Sequence, residues 1–293
     1  MNLEKSPSIS MTRTPPVLAW LRTDPEARWG LPGSRYTRVN SLVAAILAAA
    51  LTAAIFGIMA ALPERFSSIV AYFCERGPTQ YATVFAASWC VMLLLIKNRK
   101  IALQRKALQR VVVPEAHDFV LSPATVEQVT NRIYQAVDDP KHFILFNRIA
   151  VALANLRNLG RVTDVDEILR SQGDQDESIM ESSYSLIRGL IWAIPVLGFI
   201  GTVLGLSSAI GGFGEVLNSA KDMSEITGSL KGVTAGLSTA FDTTSLALVA
   251  ALFLQMWMTF SHKSEEEFLD DCTEYCHRHI VNRLRLTPFD DHG

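Results

Sequence analysis

Charged side chains are all but missing from four stretches of this 293-residue chain. Residues 41–62, 81–96, 190–210 and 233–260 hold one between them, Asp242. About 18–20 apolar residues in a row suffice to cross a bilayer. The 81–96 run is the shortest, and it needs Thr79, Gln80 and the aliphatic stem of Lys97 to reach both interfaces. Cysteine is also scarce: Cys74, Cys90, Cys272 and Cys276. Only Cys74 falls in a loop expected outside, which excludes an intramolecular disulfide framework there. Cys272 and Cys276, with His277 and His279, fit no zinc-ligand spacing, and two buried cysteines four apart on a helix explain them. No metal is expected. No phosphate-cradling glycine loop and no nucleophile beside a base occurs outside the apolar runs. An enzyme, a cofactor and a nucleic-acid partner are therefore not expected.

What is present begins with hydrophobicity, at 49% of residues. The expected fold class is an all-α integral membrane protein with four transmembrane helices, some of them extending into a cytoplasmic helical domain. Arg22, Arg28, Arg35 and Arg38 precede the first run, and Lys97, Arg99, Lys100, Arg105, Lys106 and Arg110 follow the second. The connection 63–78 holds only Arg65 and Arg76, matched by Glu64 and Glu75. The connection 211–232 holds Lys221 and Lys231 against Glu215, Asp222 and Glu225. By the excess of positive charge on cytoplasmic loops, both termini and the middle segment should be cytoplasmic.

The expected divisions are a cytoplasmic arm at 1–40, two peripheral spans at 41–96, a cytoplasmic helical domain at 97–186, a pore-forming pair at 187–260 and a C-terminal helix and tail at 261–293. The arm has no short apolar core near its start, so it reads as retained and not as a cleaved signal. Its composition suggests loose order, with Trp29 and Tyr36 at headgroup level. The second run continues without a helix breaker into KNRKIALQRKALQR. Ser122-Pro123 resembles a helix start, and Val126, Val129, Ile133 and Val137 recur at helical spacing. Phe143, Leu145, Phe146, Ile149, Leu153, Leu156 and Leu159 do the same. Thr163 opens a shorter helix that Gly173 should close. After the fourth run Phe268, Leu269, Cys272, Cys276, His279, Ile280 and Leu284 share one side of a helix.

The last two runs contain residues that lipid contact does not require. Gly198, Gly201, Gly205 and Ala209 make a small face that lets another backbone come close, and Pro195 removes one helix hydrogen bond. In the fourth run Gly236, Ala240, Thr244, Ala247 and Ala251 form a second small face. Ser238, Asp242 and Ser245 lie on a neighbouring one. A carboxylate deep in a span costs about 2.5–3.5 kcal/mol on insertion scales, so it faces protein or water. Counted from Val233, Asp242 falls near the middle of its span. Thr202 and Thr244 bring hydroxyls that donate and accept.

At these residues the chain resembles a known family. Pro195-Val-Leu-Gly198-Phe-Ile-Gly201-Thr202-Val-Leu-Gly205 is similar to the PxLGxxGTVxG signature of the MotA/TolQ/ExbB proton-channel subunits. The run from Gly236 to Leu248, with Ala240, Phe241 and Thr244, resembles their last span, GIxEALxxTAxGL. The lead-in MESSYSLIRGLIWA is also similar. The resemblance covers residues 180–260 in detail and implies a bacterial inner-membrane motor subunit driven by proton-motive force. It implies a homopentamer around a dimer of a single-span partner of the ExbD/TolR/MotB kind, whose membrane aspartate carries the proton. Carried over residue by residue, Thr202 and Thr244 take the pore-threonine roles and Gly198, Gly201, Gly205, Gly236 and Ala240 the packing roles, with Pro195. Where several relatives have a membrane glutamate this chain has Thr239, and Asp242 stands three residues on. The expected ion pathway is thus Thr202, Thr244, Asp242, Ser245 and Thr239. The alternatives are a sodium-driven motor subunit and a non-conducting membrane scaffold.

Overall fold

The computed structural model describes residues 18, 20, 26, 36–66, 70, 73, 77–114, 119–122, 124–159, 162–219 and 223–284. The described residues are overwhelmingly helical. They include no strand, only two isolated bridges, Leu18 with Val137 and Leu121 with Leu284. The helices are α1 (Ser41–Ala60), α2 (Pro78–Leu108), α3 (Val126–Ala136), α4 (Ile144–Leu159), α5 (Val162–Ser219) and α6 (Met223–His279). Four of them, α1, α2, α5 and α6, are long and apolar enough to cross a membrane. This is an all-α membrane protein.

Asn40 starts α1 by accepting the backbone N–H of Leu42 at 3.1 Å. Only Val43, Ala44 and Ala48 of α1 are buried, so most of its apolar surface faces away from the other helices of the chain. α2 begins at Pro78, whose missing N–H costs nothing in a first turn. It runs unbroken through the basic segment to Leu108, also as expected. α2 packs on α1, α5 and α6, and the most extensive contact is the seam between α5 and α6.

Beyond the spans, the lower halves of α2, α5 and α6 join α3 and α4 in a helical base. Its core holds Val129, Ile133, Phe143, Phe146, Ile149, Leu153, Phe268 and Cys272. The periodicity placed these inside, and they are inside. Three expectations change. Thr125, not Ser122, precedes the first residue of α3; the Ser122 N–H donates to Thr125 Oγ1 at 2.9 Å in a turn ahead of it. Pro123, Gly160 and Trp29 lie outside the described residues. Gly173 does not close a helix, because α5 passes through it. A helical glycine costs about 1 kcal/mol against alanine, and the buried Leu169, Asp176 and Met180 on either side outweigh that. The arm is anchored at the points the structure describes. Trp20 is buried against His142 and Phe143, and Tyr36 is buried as well.

A buried ionic layer lies where the spans meet the base. Lys97 of α2 pairs with Glu265 of α6 at 2.9 Å, each about 1% exposed. The Lys97 Nζ also donates to Ser183 Oγ at 2.6 Å and stands 4.2 Å above the Tyr184 ring. Thr37 donates to the same glutamate. Beside it, Lys100 pairs with Glu26 at 2.6 Å. Burial pulls the Lys97 pKa below the ordinary lysine value, opposed by Glu265. Burial first, and the Glu265 charge second, pushes the Tyr184 phenol up.

Candidate functional site

Glycine lets α5 and α6 approach until backbone meets backbone. A methyl built on Gly198 would stand 2.5 Å from Ala247 Cβ and 3.3 Å from Thr244 Cα; one on Gly236 would stand 2.6 Å from Ala209 Cβ. Gly205 faces Ala240 at 3.4 Å, an ordinary contact. The small faces read from both motifs therefore pack on each other. Pro195 sits inside α5, half-buried, and the helix continues through it.

This closeness brings two hydroxyls together. Thr202 of α5 and Thr244 of α6 are hydrogen-bonded to each other. Each also reaches the carbonyl one turn back in its own helix: Thr202 to Gly198 O at 3.2 Å, Thr244 to Ala240 O at 3.4 Å. Each then reaches the partner helix's carbonyl, Thr202 to Ala240 O at 3.2 Å and Thr244 to Gly198 O at 3.0 Å. Bonding to one's own turn is what any membrane threonine does. The reciprocal pair across the seam is specific to this site. Four oxygens share two hydroxyl protons, so several donor patterns fit one set of heavy-atom positions. A water arriving at the node can find a donor or an acceptor without any group being charged.

Thr243 adds a third hydroxyl. It is buried and donates to Ala240 O at 2.8 Å. Ala240 O is thus the acceptor that Thr202, Thr243 and Thr244 have in common. A methyl on Gly201 would stand 2.8 Å from Thr79 Oγ1 and 3.1 Å from Thr243 Oγ1. Thr79 is the second residue of α2, so the node lies level with the start of that helix, while α5 runs on beyond it to Ser219 and α6 begins before it at Met223. Asp242, beside Thr243, shares that level.

Of the expected pathway residues, the structure brings together Thr202 and Thr244. Asp242 is half-buried and Ser245 exposed. Among the described residues none of the node's hydrogen bonds involves either. The side chain of Thr239 lies outside the described residues. Thr243 and Thr79 were missed. Thr243 was visible as the neighbour of a motif threonine, but nothing in the sequence placed Thr79 against Gly201.

Two long helices thus meet through glycines, alanines and paired threonines inside a bundle of four candidate spans. Residues 140–272 match the family model of the MotA/TolQ/ExbB proton channel family, which supports a channel-type membrane subunit. No curated protein and no solved structure matches the chain.

Proposed function

We propose that this chain is the channel subunit of a motor driven by proton-motive force. It conducts protons together with a single-span, aspartate-bearing partner and turns the flow into rotation or force. The observation that carries the reading is the reciprocal Thr202–Thr244 node, set in a glycine-packed seam within the family's domain. The proposed assembly is a homopentamer around a dimer of the partner, in the bacterial inner membrane. The base and both termini are assigned to the cytoplasm, which puts the distal end of the bundle outside.

The chemistry divides between the two proteins. A threonine hydroxyl is far too weak a base to hold a proton at rest. It can orient water and hand hydrogen bonds along. The resting site must be a carboxylate, the role the partner's aspartate fills. The membrane potential supplies about 2.3 kcal/mol per charge per 100 mV. A wall of neutral hydroxyls lets that charge pass without trapping it, which a fixed charge in low dielectric would do.

The test is proton flux into liposomes holding the chain and its single-span partner. Thr202→Val/Thr244→Val keeps shape and removes both hydroxyls. The expected outcome is an intact ring with flux reduced at least tenfold. Undiminished flux would assign these threonines to packing and favour the scaffold reading.

A further inference from the structure

A cavity of about 260 Å³ opens between α2 and α6, where the spans meet the base. Asn98 and Ser264, the neighbours in sequence of the buried Lys97–Glu265 pair, both line it. Its wall divides by polarity. Ile101, Trp257 and Phe260 supply apolar surface, and Phe260 ends the fourth apolar run. Asn98, Arg105, Ser261 and Ser264 supply polar groups. Ser261 is 3% exposed, yet among the described residues its hydroxyl has no hydrogen-bond partner. A helical serine ordinarily donates to the carbonyl one turn back, and this one does not. The buried Nε of Arg105 also lacks an acceptor among the described residues. The same guanidinium is held across the gap, where its Nη2 donates to the Ser264 carbonyl at 2.8 Å. Leaving buried polar groups unmatched is costly. A guanidinium can only donate, so the group that would match it is an acceptor, and its fork fits the oxygens of a phosphate. Glu267 stands 3.5 Å from Arg105 Nη2, but both side chains are exposed, where such a pair is worth little and yields to a better acceptor. The cavity has room for far more than one water, which takes roughly 30 Å³ in the liquid.

We propose that this cavity binds an anionic phospholipid of the leaflet on the base side, which the orientation assigned above makes the cytoplasmic leaflet. The phosphodiester oxygens accept from Arg105, Ser261 and the Asn98 amide. The adjoining acyl segment lies along Phe260 and Trp257, and aromatic rings with one wet edge are favoured at that depth. Basic pockets between spans on the cytoplasmic side suit anionic headgroups. The lipid would tie α2 to α6 beside the Lys97–Glu265 pair. The inference needs the spans and not the channel reading, and its test involves no flux.

The experiment follows the melting temperature of the full chain in neutral detergent as short-chain phosphatidylglycerol is added. A saturable rise is expected. In Ser261→Ala/Arg105→Gln the apparent affinity should fall about tenfold, as the loss of hydrogen bonds to a charged group implies. Ala102 is exposed and lines the same cavity, so Ala102→Phe fills it and leaves both donors and the core in place. That variant should melt like the native chain without lipid and show no rise with it. Phosphatidylcholine of the same chain length should protect less, and inorganic phosphate hardly at all. Native-strength protection in Ala102→Phe, or no protection of the native chain, overturns the site. Equal protection by phosphatidylcholine overturns the choice of an anionic headgroup, and equal protection by inorganic phosphate overturns the choice of a lipid. Should Ala102→Phe instead break up a self-associated form that lipid leaves unchanged, the cavity belongs to a contact between copies and the proposal falls.

Discussion

Gly198→Ala is the substitution whose cost can be worked most directly from the seam. The added methyl would stand 2.5 Å from Ala247 Cβ, 3.3 Å from Thr244 Cα and 3.4 Å from Thr243 O. Apolar carbons rest at about 3.5–4.0 Å, so the two helices must separate by more than 1 Å at this level. Two of the three obstructing atoms are backbone, which cannot rotate away. Overpacking of this kind costs about 1–3 kcal/mol, and it pulls the Thr202 and Thr244 hydroxyls away from the opposite carbonyls. Ala247→Gly alone costs about 1 kcal/mol of helix propensity. The double variant Gly198→Ala/Ala247→Gly moves the methyl from one helix to the other and removes the shortest contact. Unfolding of the detergent-solubilised protein should therefore show a coupling of at least 1 kcal/mol, with the double variant more stable than Gly198→Ala alone. Gly236→Ala, 2.6 Å from Ala209 Cβ, should behave like Gly198→Ala. Gly205→Ala, with its nearest atom at 3.4 Å, should be nearly neutral. Equal stabilities for Gly198→Ala and Gly205→Ala, or no coupling with Ala247→Gly, would refute the argument from close approach.

The other predictions concern the base and the boundary layer. Lys97→Met leaves Glu265 buried without its countercharge, which should destabilise by about 3–5 kcal/mol in denaturant unfolding; Lys97→Met/Glu265→Leu should recover most of that, since an apolar pair often replaces a buried ion pair without loss. Burial pushes the Cys276 thiol up to about 12 from an ordinary value of 9.0. A raised folded pKa means stability is complete below about pH 9 and declines as pH climbs towards 12, because the unfolded chain gives up the proton first. Between about pH 8 and pH 10.5 the melting temperature should fall more steeply for the native protein than for Cys276→Ala, and parallel curves would sink the point.

Much of this protein is determined locally. Four runs with one charged residue between them must be helices in a bilayer, because no other open structure satisfies the backbone there. The 3.6-residue period set Phe143, Phe146, Ile149, Phe268 and Cys272 inside without reference to anything distant. The glycine and threonine spacing of the last two spans was legible for the same reason: it lies along single helices. What the tertiary structure decided is how such faces are matched across the chain. That α5 runs through Gly173 depends on packing around it, since the local preference of glycine is to stop. The sequence offered no sign that Trp20, Tyr36 and Thr37 would be buried, because composition reports propensity and not a docking site. Lys97 and Glu265 each read as ordinary charges until the fold placed them in one dry layer. Thr79 became part of the site only when α2 began level with Gly201. A hydroxyl's place depends on which backbone stands opposite it, and that is a property of three packed helices and not of any one of them.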